Sequence, residues 1–371
     1  MAKRPSSSRS RIRQGAVAAA DLAHSFPRID LPIRPPYRPM EAKSIDAIPS
    51  GDFLYEPKWD GFRCLAFRKG SLVVLQSKAG QPLARYFPEV VAALQRLPQS
   101  QFVLDGEIVV FDGQRLDFDA LLQRIHPAES RIKRLARETP ATYLAFDLLV
   151  DARGRSLTER PLYGRRESLQ QFFVNARGDG VRFSPATTDF AQAERWLREL
   201  ASAGLDGVIA KRRDCPYLSG DRSGMHKIKR MRTADCVVGG YRMAQKGGKV
   251  GSLLLGLHDD SGRLNHVGFS ASFTAAQRDE LRKILAKYAG GEGFTGSAPG
   301  GPSRWSQGRE TAWVPLQPRL VCEVRYDHFS GDRFRHGTRF LRWRPEKDPR
   351  QCTYEQVRPA GKSGLRKLLA A

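Results

Sequence analysis

The sequence is poor in the features that mark membrane, secreted and metal-stapled proteins. Nowhere in its 371 residues does an apolar run approach the roughly 18 to 20 residues that a bilayer-spanning helix needs. No apolar stretch follows the basic start, so a secretory signal is not expected. Cysteine is scarce: Cys64, Cys215, Cys236, Cys322 and Cys352 are odd in number, widely spaced and include no C-x-x-C pair. This argues against a disulfide framework or a structural zinc site and points to a reducing, cytoplasmic setting. The seven histidines show no metal-ligand spacing, and no internal repeat is visible.

Acidic residues are also in short supply. Lys and Arg number 62 against 39 Asp and Glu, a formal charge of +23. Such an excess suits a polyanion held through phosphate contacts and counterion release, although a solubility surface or an anionic membrane would also account for it. Residues 1–25 carry +4, residues 26–231 carry +8 and residues 232–371 carry +11. The charge is spread along the chain, so a long ligand touching both halves fits better than a single basic arm.

At 40% hydrophobic and 27% charged, the chain can bury substantial cores, and its length suits two domains. Residues 1–25 are basic and Ser-rich and are expected to form a disordered tail, a composition that an organelle transit peptide shares. A proline-rich lead-in at 27–39 reads as extended chain over a domain surface. Within 26–231, strands are predicted at 72–76, 102–111, 142–150 and 207–211, and helices at 88–97 and 190–201. This interleaving indicates an α+β domain containing antiparallel sheet. Within 232–371, strands are predicted at 236–242, 252–258, 264–270, 320–327 and 335–344, with one amphipathic helix carrying Leu281, Ile284, Leu285 and Tyr288. A Gly/Pro/Ser-rich loop spans 290–308. Five strands and one helix are compatible with a small OB-fold barrel.

The chemistry-bearing stretches are few. In E-P-K-W-D-G-F-R (56–63), Lys58 lies between apolar neighbours, with two carboxylates and an arginine close by. Desolvation and nearby cations can make such an amine nucleophilic. Alone, K-x-D-G reads more simply as a charged turn before a strand. In V-L-D-G-E-I-V-V (103–110), Asp105 and Glu107 stand at i and i+2, so a strand points both to one face, where they need a cation or metal. Phe146 and Asp147 sit in an apolar strand, and alone they read as a core aromatic and a turn acid. Asp206 and Lys211 bracket D-G-V-I-A-K. Lys227 and Lys229 share a face if extended, either to grip a phosphate or as a solvated edge.

Taken together, in this order and spacing, these stretches resemble the nucleotidyltransferase motifs of ATP-dependent DNA ligases, RNA ligases and mRNA capping enzymes, over about residues 30–350. Y-E-P-K-W-D-G-F-R, R-Y-F-P-E, Q-R-I-H-P-A-E-S-R, L-D-G-V-I-A-K and R-T-A-D-C-V-V-G-G-Y are similar to short bacterial ATP-dependent DNA ligases of the ligase C type. The resemblance implies an α+β nucleotidyltransferase (ATP-grasp-like adenylation) domain with antiparallel sheets plus a C-terminal OB-fold β-barrel. It also implies sealing of 5′-phosphate/3′-hydroxyl nicks in duplex DNA through a covalent lysyl-AMP, in DNA repair.

Carried over by position, the resemblance makes Lys58 the nucleophile. Glu56, Arg63, Lys78, Glu107, Phe146, Lys211, Lys227, Lys229, Arg344 and Lys347 become ATP-binding residues. Among them Glu107 would bind the ribose and Phe146 would stack on adenine. Lys211, Lys227 and Lys229 would meet the phosphates, while Arg344 and Lys347 would orient pyrophosphate. Arg63 would also lie near the nick 5′-phosphate. Asp206 and Glu107 would hold a divalent metal, Mg²⁺ or Mn²⁺.

Three positions depart from the pattern: Lys78 replaces an arginine, Asp206 a glutamate common in relatives, and Glu346 a common aspartate. The implied partners are nicked or broken duplex DNA, a repair polymerase/primase and Ku-type end-joining proteins. The chain would act as a monomer in the cytoplasm at the bacterial nucleoid, with no membrane contact. Two other readings stay open, an RNA ligase or capping-type nucleotidyltransferase, and a catalytically decayed DNA-binding accessory protein. Because the excess charge is spread over both halves, affinity for nicked DNA is expected to fall steeply with salt; a flat log–log plot of affinity against salt concentration contradicts this.

Overall fold

The structure is a computed structural model that describes residues 26–113, 115–174, 179–199, 204–244, 248–300 and 312–358. The expected tail at 1–25, the last turn of the predicted helix (Leu200 and Ala201) and residues 301–308 of the Gly/Pro/Ser-rich loop lie outside the described residues. Contacts divide the chain into one unit up to Lys229 and another from Arg230.

Among the described residues the first unit contains ten strands: β1 (Lys43–Ile45), β2 (Phe53–Lys58), β3 (Phe62–Lys69), β4 (Leu72–Ser77), β5 (Gln101–Asp112), β6 (Arg115–Leu116), β7 (Ala141–Val150), β8 (Val181–Phe183), β9 (Gly207–Arg212) and β10 (Met225–Lys229). Its helices are α1 (Pro88–Arg96), α2 (Phe118–Gln123), α3 (Glu129–Glu138), α4 (Leu162–Val174) and α5 (Phe190–Glu199). Two sheets result, ordered β1-β10-β9-β2 and β4-β3-β5-β7-β8, with β6 on β5. All pairings are antiparallel except β1 with β10 and β7 with β8.

Strand alternation divides β5 between two environments. Phe102, Leu104, Ile108 and Val110 enter a core with Val90, Ala93 and Leu94 of α1 and Leu169 and Phe172 of α4. Val103 and Val109 turn the other way into separate clusters, and Asp105 and Glu107 share their parity. Pro88 opens α1, where its missing N–H costs nothing. At the other end the buried Arg68 donates to the carbonyls of Leu94 (2.8 Å) and Leu97 (2.6 Å), helping to satisfy the C-terminal carbonyls of the helix.

The proline-rich lead-in forms no strand, bends at 31–33 and 35–36 rather than running extended, and is part of the core rather than a surface wrap. Phe26, Ile29, Leu31 and Ile33 are buried against Leu65, Phe67, Val74, Val103 and Leu149. The Gln76 side chain exchanges hydrogen bonds with the backbone N–H and C=O of Tyr37, at 2.8 and 2.6 Å, and so stands in for a neighbouring strand.

The second unit contains β11 (Arg232–Met243), β12 (Val250–His258), β13 (Leu264–Ser270), α6 (Ala275–Ala286), β14 (Val314–Pro315), β15 (Val321–Tyr326), β16 (Phe329–Ser330), β17 (Arg333–Phe334) and β18 (Arg339–Trp343). The order β13-β12-β11-β15-β18 is antiparallel throughout, with bulges in three of the ladders. Bulges increase twist, and the two edge strands meet where Ser270 bridges Thr338. Leu281 and Leu285 of α6 pack into its core, and Thr274 with Gln277 forms a capping box at the helix start. The arrangement is the OB-fold type. No helix among the described residues is long and apolar enough to cross a membrane.

Of the described glycines in the first unit, Gly207 has the closest neighbour. A Cβ there would lie 1.9 Å from the carbonyl oxygen of Ile228 on β10. Gly207→Ala is therefore expected to cost about 2 kcal/mol or more through overpacking against rigid backbone. Urea unfolding measures this, and a loss under about 0.5 kcal/mol contradicts the close approach.

Candidate active site

The register of β2, β9 and β10 builds one chemically loaded face. Lys58 pairs with Gly207, which pairs with Lys229; Glu56 pairs with Ile209, which pairs with Lys227. Lys211 pairs with Met225 one step further along. Since every second residue of a strand faces the same way, Glu56, Lys58, Lys211, Lys227 and Lys229 share a face. Asp206, just before β9, holds Lys58 Nζ at 2.7 Å and donates its own N–H to the Lys58 carbonyl.

This face forms one wall of a cavity of about 560 Å³. Arg63 and Glu107, direct neighbours across β3 and β5, form another part of the wall, together with Phe146 of β7. Pro39 at the end of the lead-in, Met40 and Glu41 just after it, and Lys78 and Ala79 of the turn after β4 also line it. Five cations (Lys58, Arg63, Lys78, Lys211, Lys227) face three carboxylates (Glu41, Glu56, Glu107). The balance suits a polyphosphate.

Each charge has an identifiable environment. The fully buried Asp105 accepts from Arg63 Nε and Nη2, both at 2.6 Å, and from the Tyr217 hydroxyl at 2.5 Å. The cation that the i, i+2 acid pair required is thus Arg63. Its guanidinium lies 4.6 Å from the centre of the Phe146 ring, and Lys211 Nζ lies 4.4 Å from the same ring. Burial pushes the Glu107 carboxyl up to about 8, against the opposing pull of Arg63 and Lys58. The Lys227 ammonium is pushed down, first by burial and then by Lys229, Lys78, Lys58 and Arg222. Repulsion among these cations is what a bound anion relieves. At the rim, Glu41 bridges Arg222 (2.7 Å) and Lys78 (3.6 Å).

Most of the expected residues are brought together here, namely Glu56, Lys58, Arg63, Lys78, Glu107, Phe146, Lys211 and Lys227. Lys229 lies on the same sheet face, and Asp206 is joined to Lys58. Arg344 and Lys347 belong to the second unit, where Arg344 pairs with Asp235 at 2.9 Å and Lys347 Nζ lies 3.8 Å from the same carboxylate. Of the two carboxylates expected to hold a metal, Asp206 has a carboxylate oxygen within 4.8 Å of one from Asp60. Asp60 was not among the expected ligands, although it sits inside K-W-D-G. Tyr217, Glu41 and Arg166 were also missed. They lie outside the motif stretches, and only the fold assembles them.

An amine held at the wall of a cation-rich cavity suits attack on a triphosphate, and the chain continues into an OB-fold unit. That two-part plan is the one nucleotidyltransferases use to join nucleic-acid ends. A family model for the ATP dependent DNA ligase domain matches residues 39–229, and one for the ATP dependent DNA ligase C terminal region matches 246–347. The chain belongs to the ATP-dependent DNA ligase family, and its activity is ATP-dependent DNA ligation. DNA ligase C2 of Mycolicibacterium smegmatis is 47% identical over 345 residues, covering 89% of this chain and 96% of the relative. DNA ligase C of Mycobacterium tuberculosis is 45% identical over 345 residues with the same coverage. A solved Lig E DNA ligase shares the fold, with a TM-score of 0.53 at 16% identity over 83% of this chain and 99% of that one.

The raised Glu107 carboxyl has a measurable consequence. The folded protein keeps this proton up to about pH 8, whereas the unfolded chain releases it near 4.5. Folding is therefore disfavoured at this site as pH climbs through that window. Thermal unfolding of wild type and Glu107→Gln at about pH 5 and about pH 8.5 is expected to show the variant gaining on the wild type at the higher pH. A Tm difference that does not change with pH contradicts the assignment.

Proposed function

We propose that this ligase seals 5′-phosphate/3′-hydroxyl nicks in duplex DNA through a lysyl-AMP formed on Lys58, and serves DNA repair. The observation that carries this reading is the Lys58 amine, held at the cavity wall by Asp206 on the same sheet face as Lys211 and Lys227. In the first step Lys58 Nζ attacks the α-phosphorus of ATP, the Nζ–P bond forms, and pyrophosphate leaves. A lysine rather than a serine gives a phosphoramidate that stays activated for a second transfer. AMP then passes to the 5′-phosphate of the nick, and attack by the 3′-hydroxyl expels it.

Within this scheme Lys211, Lys227 and Lys229 stabilise the phosphate charge, which is positioning plus electrostatics. Phe146 stacks on the base, Glu107 binds the ribose, and Glu56 faces the base edge. Arg63, locked by Asp105, contacts ATP and lies near the nick 5′-phosphate, and Lys78 at the rim contacts ATP. Arg344 and Lys347, from the second unit, orient pyrophosphate. Asp206 with Asp60 offers the hard oxygen donors that Mg²⁺ or Mn²⁺ prefers, and Glu107 is a further candidate. When bound, that ion supplies positive charge to the triphosphate. Nicked or broken duplex DNA is the substrate. A repair polymerase/primase and Ku-type end-joining proteins are the proposed partners of a monomeric protein in the bacterial cytoplasm, at the nucleoid.

The charge-conserving departures at Lys78, Asp206 and Glu346 leave the nucleophile, Arg63 and Glu107 in place, which speaks against a decayed accessory protein. Sealing of a 5′-phosphorylated nicked duplex with ATP and Mg²⁺ is expected from the wild type, with a loss of at least about 10⁴-fold in Lys58→Ala. Comparable sealing by both proteins rules Lys58 out as the nucleophile.

A further inference from the structure

The base end of the cavity rests on an arginine outside the ligase motifs. Arg166 of α4 is nearly buried: its side chain is 11% exposed. Nη1 donates to the Phe146 carbonyl at 3.2 Å, Nη2 donates to the Ser184 carbonyl, and the guanidinium stacks 4.0 Å from the centre of the Phe183 ring. The same Nη1 lies 3.7 Å from Glu56 Oε1. Its neighbour Arg165 is committed elsewhere, donating to both oxygens of Asp147 at 2.9 and 3.0 Å. Arg166 is thus the α4 cation left to face Glu56.

Glu56 is 97% buried yet lines the cavity. Its Oε2 pairs with Lys211 Nζ at 2.8 Å, while Oε1 is buried and accepts no hydrogen bond among the described residues. A carboxylate oxygen accepts hydrogen bonds and cannot donate them, so it favours a ligand amine and disfavours a ligand carbonyl. One flat guanidinium reaches the backbone of the stacking residue, the backbone at Ser184 and this carboxylate at once. A lysine ammonium cannot reproduce that fork.

We propose that Arg166 is a positioning residue for nucleobase selection: by fixing the Phe146 backbone and facing Glu56 Oε1, it presents the carboxylate to the 6-amino group of adenine and sets the preference over a 6-oxo purine. The inference rests on reading the cavity as the ATP site.

The test is self-adenylylation against its 6-oxo counterpart, comparing kcat/KM for ATP with that for inosine triphosphate in the wild type, Arg166→Lys and Glu56→Gln. The wild type prefers ATP. Both variants narrow that ratio by about tenfold or more, and in Arg166→Lys the loss with ATP falls on KM rather than on kcat. If Glu56→Gln narrows the ratio while Arg166→Lys slows both nucleotides equally, Arg166 is merely structural and the inference is overturned, with the base-end reading intact. If Glu56→Gln leaves the ratio unchanged, the base-end reading itself is wrong and the inference goes with it. Arg166→Gln, read by the same ratio, replaces Arg166→Lys should the latter not fold.

Discussion

The active face depends on one backbone approach. At Gly207 the chain passes so close to the Ile228 carbonyl that no side chain fits. That contact lets β9 pair with β2 on one side and β10 on the other, in the register that aligns Lys58, Gly207 and Lys229. A slip of one residue would turn every side chain of β9 to the opposite face. Lys211 would then point toward Trp196 and Ala193 of α5, and Val208 and Ala210 toward the cavity. Asp206 reaches Lys58 only because β9 begins where it does.

Around this face the charges follow two different rules. Carboxylates in and behind the wall are each matched to a guanidinium or an ammonium: Asp105 with Arg63, Asp147 with Arg165, and Glu56 with Lys211 and Arg166. Removing one partner of such a pair leaves an uncompensated buried charge, so these pairs act as fixed parts of the scaffold. Lys227 is instead crowded by Lys229, Lys78, Lys58 and Arg222, and a bound anion relieves that repulsion. The scaffold is neutralised internally, whereas on the reactive face Lys58 and Lys211 have carboxylate partners and Lys227 remains crowded by cations.

Much of this was legible in the sequence, and the misses have physical causes. Strand alternation placed 102–111 within one residue of β5 at each end, and 264–270 coincides with β13. The strand β2 was not read, because Glu56, Pro57 and Lys58 look like turn chemistry; the turn is Trp59–Gly61, and Lys58 closes the strand. The helix α4 was missed because Arg165 occupies a position in its buried stripe of Leu162, Leu169 and Phe172, breaking the apolar period. The helix α3 buries only Ile132 and Leu135 among charged residues. In the site, the motif residues were legible as a set, whereas Tyr217 meets Asp105 across 112 positions of sequence, a contact no local pattern encodes.

The chemistry turns on whether the amine paired with Asp206 is the one that carries AMP. Incubating the protein with ATP and Mg²⁺, digesting it, and mapping the adduct by tandem mass spectrometry decides this. AMP is expected on the peptide containing Lys58, attached at that residue. An adduct on Lys211 or Lys227 instead, or nick sealing that proceeds with no adduct on any lysine, would contradict that assignment.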